Sequence, residues 1–296
     1  MSARAATHTL LTAFAAMTVA VSTAIGSTAT AAHADPTTSL EYVNLGDSYS
    51  AASGVAPQAP DSPPLCSRST NNFAHILARR NNFDLTDVSC GGASTSDFFR
   101  SQNPGTPPQL DALSPRTQLV TMMIGGNDGS VFAGTVARCI IAAATTKTSA
   151  TPCKDQYGPS IVNQVRTQTF PNLVRALSAV RARAPRAHVM IISYPWLMPA
   201  TVRPCPGMPV APGDGPYTRE LETALNESIR RAATQTGVQY VDATTPSVGH
   251  DSCQPADVRW IEPIVGATQP VPVHPNARGA RALADITARA MNTISS

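Results

Sequence analysis

The sequence predicts an α/β protein whose parallel sheet is covered by helices on both faces. Five short apolar, β-branched runs recur along the chain, and segments with helical spacing of apolar residues lie between them. Strands that alternate with helices in this way are typical of βαβ units, which build parallel sheets. We find no internal repeat and no second domain in the sequence.

The predicted strands are short and rich in Val, Ile and Leu, as expected of strands buried on both faces. They cover residues 40–45, 85–89, 118–124, 188–193 and 238–241. The predicted helices cover residues 71–80, 160–184, 217–236 and 276–291. Pro171 interrupts the second of these helices, and Gly237 supplies a stop for the third. Three segments rich in Pro and Gly are predicted as long loops, which in such folds usually shape a binding site: 57–64, 199–216 and 263–275.

Residues 1–34 predict a cleaved signal peptide. Arg4 gives a short positive region, residues 10–25 are apolar, and Ala32-His33-Ala34 has the A-x-A form of a cleavage site. The apolar run is short for a membrane span, which disfavours an uncleaved N-terminal anchor. We therefore expect a secreted protein of one domain, residues 35–296, without a stable membrane anchor after cleavage.

The charge of this domain excludes some classes of partner. It contains 21 basic and 19 acidic residues. This near balance argues against nucleic acid or an anionic membrane surface as the main partner. We expect a monomer.

Six cysteines remain after cleavage, and an even number in a secreted chain indicates disulfides. Six cysteines allow 15 connectivities. The simplest one pairs sequence neighbours: Cys66–Cys90, Cys139–Cys153 and Cys205–Cys253. The sequence has no C-x-x-C and no pair of histidines near a cysteine, so we expect no metal site.

Ser48, in the stretch GDSYS, directly follows the first predicted strand. Ligands of open α/β sheets bind at the carboxyl ends of the strands, where helix N-termini favour developing negative charge. Gly46 permits a tight turn there. Ser48 is therefore either a turn residue or a nucleophile, and a nucleophile needs a base and an oxyanion hole.

Four segments in sequence order resemble the blocks of the SGNH (GDSL-type) hydrolases. They are GDSYS from Gly46, SCGGASTSD from Ser89, IGGNDG from Ile124 and HPNARG from His274. The resemblance implies that Ser48 is the nucleophile and His274 the general base. It also implies an oxyanion hole made by the N–H groups of Ser48 and Gly92 and by the side-chain amide of Asn127. Gly91 is the alternative to Gly92.

The same resemblance implies the family's fold: a single-domain, flavodoxin-like α/β/α sandwich of three layers with a five-stranded, mostly parallel sheet. The four matching blocks span nearly all of residues 35–296. Secreted actinobacterial lipases and esterases of this family also carry three disulfides. Asp47 and Asp128 lie within the blocks, and we interpret them as structural acids that bind loop backbone.

One position departs from the family pattern. The family usually has an aspartate three residues before the histidine, where this chain has Val271. By analogy with secreted esterases of the family, we expect the Val271 backbone carbonyl to orient His274. Glu262, Asp257 and Asp251 remain as alternatives.

These residues predict acyl transfer to water through an acyl-Ser48 intermediate, without a cofactor. The sequence has no G-x-S-x-G elbow and no nucleotide-binding loop. Apolar residues of two loops predict an acyl groove and therefore a lipid ester substrate, and the alternative is that they cover the core: Trp196, Leu197, Met198, Met208, Trp260, Ile261 and Ile264. The alternatives are a polysaccharide O-acetyl esterase, a phospholipase A and an inactive surface binding protein.

Overall fold

The computed structural model describes residues 39–292. The predicted signal peptide, residues 1–34, lies outside the described residues. All statements about the fold below concern residues 39–292.

Five strands form one sheet, and all neighbouring strands pair in parallel. They are β1 (Glu41–Gly46), β2 (Asp84–Asp87), β3 (Leu119–Met123), β4 (His188–Ile192) and β5 (Gln239–Val241). The strand order is β2-β1-β3-β4-β5. This order confirms the predicted flavodoxin-like α/β fold, with a sheet that is parallel throughout.

The central strands form the core. β1 and β3 are buried along almost their whole length, as continuous apolar runs predict. Gly46 at the end of β1 pairs with Met123 at the end of β3, so the two strands end level with each other. The order of connections reverses between β1 and β3, and this is the point at which folds of this type bind ligands.

The helices lie in two layers, one on each face of the sheet. The longer ones are α2 (Phe73–Asn81), α3 (Val131–Thr145), α6 (Phe170–Arg183), α7 (Asp214–Thr236) and α8 (Ala277–Asn292), and the shorter ones are α1 (Ser48–Ala51), α4 (Pro152–Tyr157) and α5 (Ser160–Gln164). α2 packs against α8, and α6 packs against α7. Right-handed crossovers that run in opposite directions from β1 place these pairs on opposite faces.

Three regions differ from the helices that the sequence predicts. α1, α3 and α4 are additional helices. The predicted helix over residues 160–184 is continuous in direction, but it consists of α5, a π-helical turn (Val165–Thr169) and α6. Pro171 occupies the first turn of α6, where its missing N–H group costs little, and the wide π turn precedes it.

Each of three disulfides joins a cysteine to the next cysteine along the chain, as the sequence predicts: Cys66–Cys90, Cys139–Cys153 and Cys205–Cys253. The first joins the loop after α1 to the loop after β2, and the second ties α3 to α4. None of the helices in residues 39–292 combines the length and apolar character that a membrane crossing requires.

Candidate active site

Ser48 begins α1 immediately beyond the end of β1. Gly46 has a φ of +118°, and a Cβ there would lie 2.3 Å from the Met123 carbonyl oxygen, so this turn requires glycine. The Asp47 carboxylate caps α1 by accepting a hydrogen bond from the Tyr49 N–H group (2.9 Å). The Ser48 N–H group, in the first turn of the helix, has no acceptor within residues 39–292.

His274 lies next to Ser48, although 226 residues separate them in sequence. Its Nε2 atom is 2.7 Å from the Ser48 Oγ atom. Two backbone bonds hold this segment against Glu262: Val273 N–H donates to the Glu262 carbonyl (2.9 Å), and Glu262 N–H donates to the His274 carbonyl (3.0 Å). The Tyr49 hydroxyl donates to the Val273 carbonyl (2.7 Å) and thereby joins the segment to α1.

The group that orients His274 is the carbonyl of Pro272, and the prediction of the Val271 carbonyl is wrong. His274 Nδ1–H donates to the Pro272 oxygen over 2.7 Å. The Val271 carbonyl instead accepts from the Gln269 side chain (3.2 Å). The reason is the left-handed conformation of Val273, with a φ of +54°, which turns the chain so that the carbonyl two residues before the histidine reaches its ring.

The carboxylates of the three alternative acids form no hydrogen bond or ion pair with His274 among the described residues. The buried Glu262 carboxylate accepts from Arg259 (2.7 Å) and from the Asn276 amide (2.8 Å). Asp251 accepts two hydrogen bonds from Arg203 (2.8 and 2.9 Å). Asp257 is exposed on its loop.

Burial lowers the pKa of the His274 imidazole below its ordinary value of 6.5, and the hydrogen bond to the Pro272 carbonyl opposes this shift. The ring is therefore neutral at pH 7. With Nδ1 protonated and donating to Pro272, Nε2 is the acceptor that faces the Ser48 hydroxyl, as a general base requires.

The structure distinguishes the two candidate glycines. The Gly91 N–H group donates to the Cys66 carbonyl (2.8 Å), so it is already occupied. The Gly92 N–H group has no acceptor within the described residues, and its φ of +77° is a left-handed conformation. The Asn127 side-chain nitrogen uses one hydrogen on the Ala93 carbonyl (2.9 Å) and keeps the second.

Ser48, Gly92, Asn127 and His274 border one cavity of about 300 Å³ at the carboxyl edge of the sheet. Its apolar walls come from Phe132 and Ala133 of α3 and from Val271 and Val273. The loop residues that the sequence offered as an acyl groove do not line this cavity. Five of them are buried in the core: Leu197, Met198, Met208, Trp260 and Ile261.

Tyr194 and Asp47 form a buried link beneath the cavity that the sequence interpretation missed. The Tyr194 hydroxyl donates to the Asp47 carboxylate and accepts from the Gly126 N–H group (3.0 Å). Burial raises the pKa of Asp47 to about 7, although the bond from Tyr194 lowers it. Tyr194 lies two residues after the end of β4, and its position at the same sheet edge was the available signal.

Asp128 also binds loop backbone. Its carboxylate accepts from both the N–H group (2.8 Å) and the hydroxyl (2.7 Å) of Thr95, so it connects the loop after β3 with the loop after β2. In residues 39–292, no group of three or more His, Cys, Asp or Glu side chains is arranged to hold a metal ion.

Comparisons with known proteins identify a family of hydrolases that this chain matches. Residues 45–282 match the model of the GDSL-like lipase/acylhydrolase family. Lipase 2 of Streptomyces coelicolor is 48% identical over 269 residues, which cover 89% of this chain and 91% of that protein.

Solved structures show the same fold. Phospholipase A1 from Streptomyces albidoflavus superposes with a TM-score of 0.72 and 25% identity, covering 85% of this chain and 99% of that one. An extracellular lipase from Streptomyces rimosus gives a TM-score of 0.71 at 22% identity, with 85% and 99% coverage.

Proposed function

Because the chain belongs to the GDSL-like lipase/acylhydrolase family and is a carboxylic ester hydrolase, we propose that it is a secreted enzyme that hydrolyses lipid esters through an acyl-Ser48 intermediate. The observation that carries the proposal is the 2.7 Å contact between His274 Nε2 and Ser48 Oγ at the edge of an apolar cavity.

In the proposed reaction, His274 Nε2 takes the Ser48 hydroxyl proton while Oγ bonds to the ester carbonyl carbon. The tetrahedral intermediate then loses the alcohol, whose oxygen receives the proton from the imidazolium. A water molecule attacks the acyl-Ser48 carbonyl with His274 again as base. The acid leaves and Ser48 regains its proton.

Three donors with free hydrogens border the cavity: Ser48 N–H, Gly92 N–H and one hydrogen of the Asn127 amide. They are suited to bind the oxyanion of both tetrahedral intermediates. The Pro272 carbonyl fixes the tautomer of His274 without a full negative charge. The catalytic unit is therefore a Ser48–His274 dyad supported by backbone.

Two observations support the substrate and the location. The walls of the cavity are apolar, which suits an acyl chain. Likeness to a phospholipase A1 makes phospholipase A activity the second candidate. Three disulfides are typical of secreted proteins, and residues 1–34 would supply the signal peptide.

The test is hydrolysis of a p-nitrophenyl ester series from acetate to palmitate by the purified protein. The control variants are Ser48→Ala and Ser50→Ala, the second of which removes a buried hydroxyl two residues away. We expect the highest kcat/KM for esters of medium or long acyl chains. Ser48→Ala should lose activity, whereas Ser50→Ala should keep it apart from modest effects on folding. Circular dichroism checks the folding of both variants.

Other outcomes contradict parts of the proposal. If only the acetate ester reacts, the lipid substrate is wrong and a small-acyl deacetylase replaces it. If activity survives in Ser48→Ala, the acyl-Ser48 intermediate is wrong. Lack of reaction with every ester and with an organophosphonate would indicate an inactive binding protein.

A further inference from the structure

Two open cavities lie side by side on the flank formed by α2 and α8. One, of about 390 Å³, is lined by Arg79, Arg80 and Arg281, and the other, of about 480 Å³, by Arg278 and Arg281. Arg281 and Ala277 line both cavities, so the two form one continuous surface. We call it the arginine groove, defined by these four arginines.

The arginine groove borders the catalytic cavity. Gly54 and Gln269 line the groove, whereas Val271 lines the catalytic cavity. These residues pack closely, since a Cβ at Gly54 would lie 3.0 Å from the Val271 Cβ atom and 3.2 Å from the Gln269 side-chain nitrogen. One layer of residues therefore forms the wall between groove and cavity, and Arg278 lies one turn after the segment that carries His274.

Most of the positive charge of the groove is uncompensated. Arg80 pairs with Asp285 (2.5 Å). Arg79 donates to the neutral carbonyl of Thr70 (2.6 Å), and Arg278 and Arg281 form no ion pair within residues 39–292. Three unpaired cations thus share one groove of a chain whose formal net charge is only +3. The overall charge balance conceals this concentration.

The groove exposes charge rather than apolar surface, because its apolar lining residues Ile76 and Val55 are buried. An exposed apolar side chain lies beside the catalytic cavity. The Leu65 side chain is 68% exposed. Leu65 lies next to Gly91, which borders the catalytic cavity: a Cβ atom added to Gly91 would be 3.4 Å from the Leu65 carbonyl oxygen. Guanidinium groups bind phosphate oxygens through paired hydrogen bonds, and an exposed leucine beside the catalytic cavity suits acyl chains better than an acidic polysaccharide.

We infer that the arginine groove binds the phosphate groups of an anionic phospholipid bilayer and holds the catalytic cavity against the lipid surface. This inference rests on the proposed function, because it assumes that the substrate is a lipid ester. Each basic residue near an anionic membrane contributes on the order of 1 kcal/mol of attraction, so several arginines on one surface give measurable binding.

The experiment measures cosedimentation of the Ser48→Ala protein with vesicles, because this variant leaves the lipids intact. Vesicles of phosphatidylcholine alone are compared with vesicles that also contain phosphatidylglycerol. We expect binding to the anionic vesicles, weakening as salt rises. Adding Arg278→Gln and Arg281→Gln should weaken this binding about 30-fold, since two cations are removed. Inorganic phosphate at millimolar concentration should not compete, because a single phosphate lacks the multivalency of a bilayer.

The matched control is the double variant Arg116→Gln and Arg186→Gln, which also removes two positive charges. These arginines precede β3 and β4, at the amino ends of the strands, whereas the catalytic cavity lies at the carboxyl ends. Equal loss in both double variants, equal binding to neutral and anionic vesicles, or displacement by inorganic phosphate would each overturn the inference. Its failure is distinguishable from failure of the proposed function, because hydrolysis of a soluble short ester by the protein with Ser48 intact involves no vesicle.

Discussion

The Tyr194 hydroxyl donates a hydrogen bond to the Asp47 carboxylate, and this bond connects the segment after β4 to the turn that carries Ser48. The same hydroxyl accepts from Gly126 N–H, one residue before Asn127. A single buried phenol therefore links the loop that presents Ser48 with the loop that presents an oxyanion donor.

The first prediction is that Tyr194→Phe lowers kcat at least about tenfold and changes KM little. The variant leaves the Asp47 carboxylate and the Gly126 N–H group without this partner, and an unpaired buried polar group costs roughly 1–3 kcal/mol. Loss of the phenol also raises the pKa of Asp47 further, since its hydrogen bond lowers that pKa.

Tyr217→Phe is the control for this prediction. It removes one tyrosine hydroxyl that donates to the Gly158 carbonyl (2.8 Å), away from the catalytic cavity. Steady-state kinetics of both variants with a soluble ester measures kcat and KM and shows whether the fall in kcat is specific to Tyr194→Phe. An equal fall of kcat in the two variants would show that Tyr194 acts on stability alone.

The second prediction concerns the absence of a catalytic acid. Asp251→Asn and Asp257→Asn should each change kcat less than about threefold, because neither side chain contacts His274. Glu262→Gln should mainly lower stability, since it leaves the buried Arg259 guanidinium with a weakened partner. Loss of kcat approaching the roughly 10⁴-fold expected for a neutralised triad acid would contradict the dyad.

The third prediction is the acid limb of the pH profile. His274 must be neutral to accept the Ser48 proton, and burial lowers its pKa below 6.5. We expect kcat/KM to be constant near pH 7 to 8 and to fall below a midpoint that lies under pH 6.5. A soluble short ester assayed from pH 4 to pH 8.5 measures this midpoint. A midpoint above 6.5 would mean that the ring is not desolvated in solution.

The fourth prediction concerns stability and Glu222. One of its carboxyl oxygens accepts from the Leu197 N–H group (2.9 Å), the other lacks a partner within residues 39–292, and burial raises the pKa to about 8. Because the pKa is raised in the folded state, the protonated Glu222 carboxyl group stabilises the fold relative to the ionised one. Its contribution to the free energy of unfolding is complete below about pH 4.5 and is lost as the pH rises to about 8.

Glu222→Gln removes this ionisation. Across that window, the free energy of unfolding of the wild type should therefore fall relative to the variant, by at most about 1.4 kcal/mol per pH unit. Urea unfolding of both proteins at pH 5, 7 and 9 measures the difference. Parallel stability curves would show that Glu222 is ionised in the folded protein.

The fifth prediction compares two disulfides. Loss of Cys66–Cys90 through serine substitutions should lower stability by about 3.5 kcal/mol in the chain-entropy model for a separation of 24 residues. It should also lower kcat, because the Cys66 carbonyl holds Gly91 beside the donor Gly92. Loss of Cys139–Cys153 should lower stability alone. Urea unfolding and kcat distinguish the two, and equal effects on kcat would contradict the assignment.

The fold was largely predictable because its strands have a distinctive pattern. Buried parallel strands are short apolar runs, as in β1, β3 and β4. All five strands were identified with boundaries that differ by at most two residues, although β2 is a largely exposed edge strand with two aspartates. α3 was missed because its first turn has no side-chain cap and follows Ser130 with a φ of +56°, so the usual signals of a helix start are absent.

The positions of Ser48 and Asn127 at one cavity followed from strand ends, which meet at one edge of a parallel sheet. His274 lies in the loop before α8, and it was identified from the resemblance to the family. The orienting carbonyl did not follow, because it depends on the left-handed conformation of Val273. A β-branched residue rarely adopts this conformation, so no sequence rule would place it there. Tyr49 and Tyr194 were missed because aromatic residues near strands are usually interpreted as core.

The distance in sequence between Ser48 and His274 has a consequence for biosynthesis. A chain that is still being made carries the nucleophile and all three candidate oxyanion donors long before it carries the base, which is 226 residues further on. Closure of such a long loop also comes late and costs entropy that only the finished fold repays. In the proposed mechanism, a chain that has not yet reached residue 274 lacks the base, so we expect it not to hydrolyse esters.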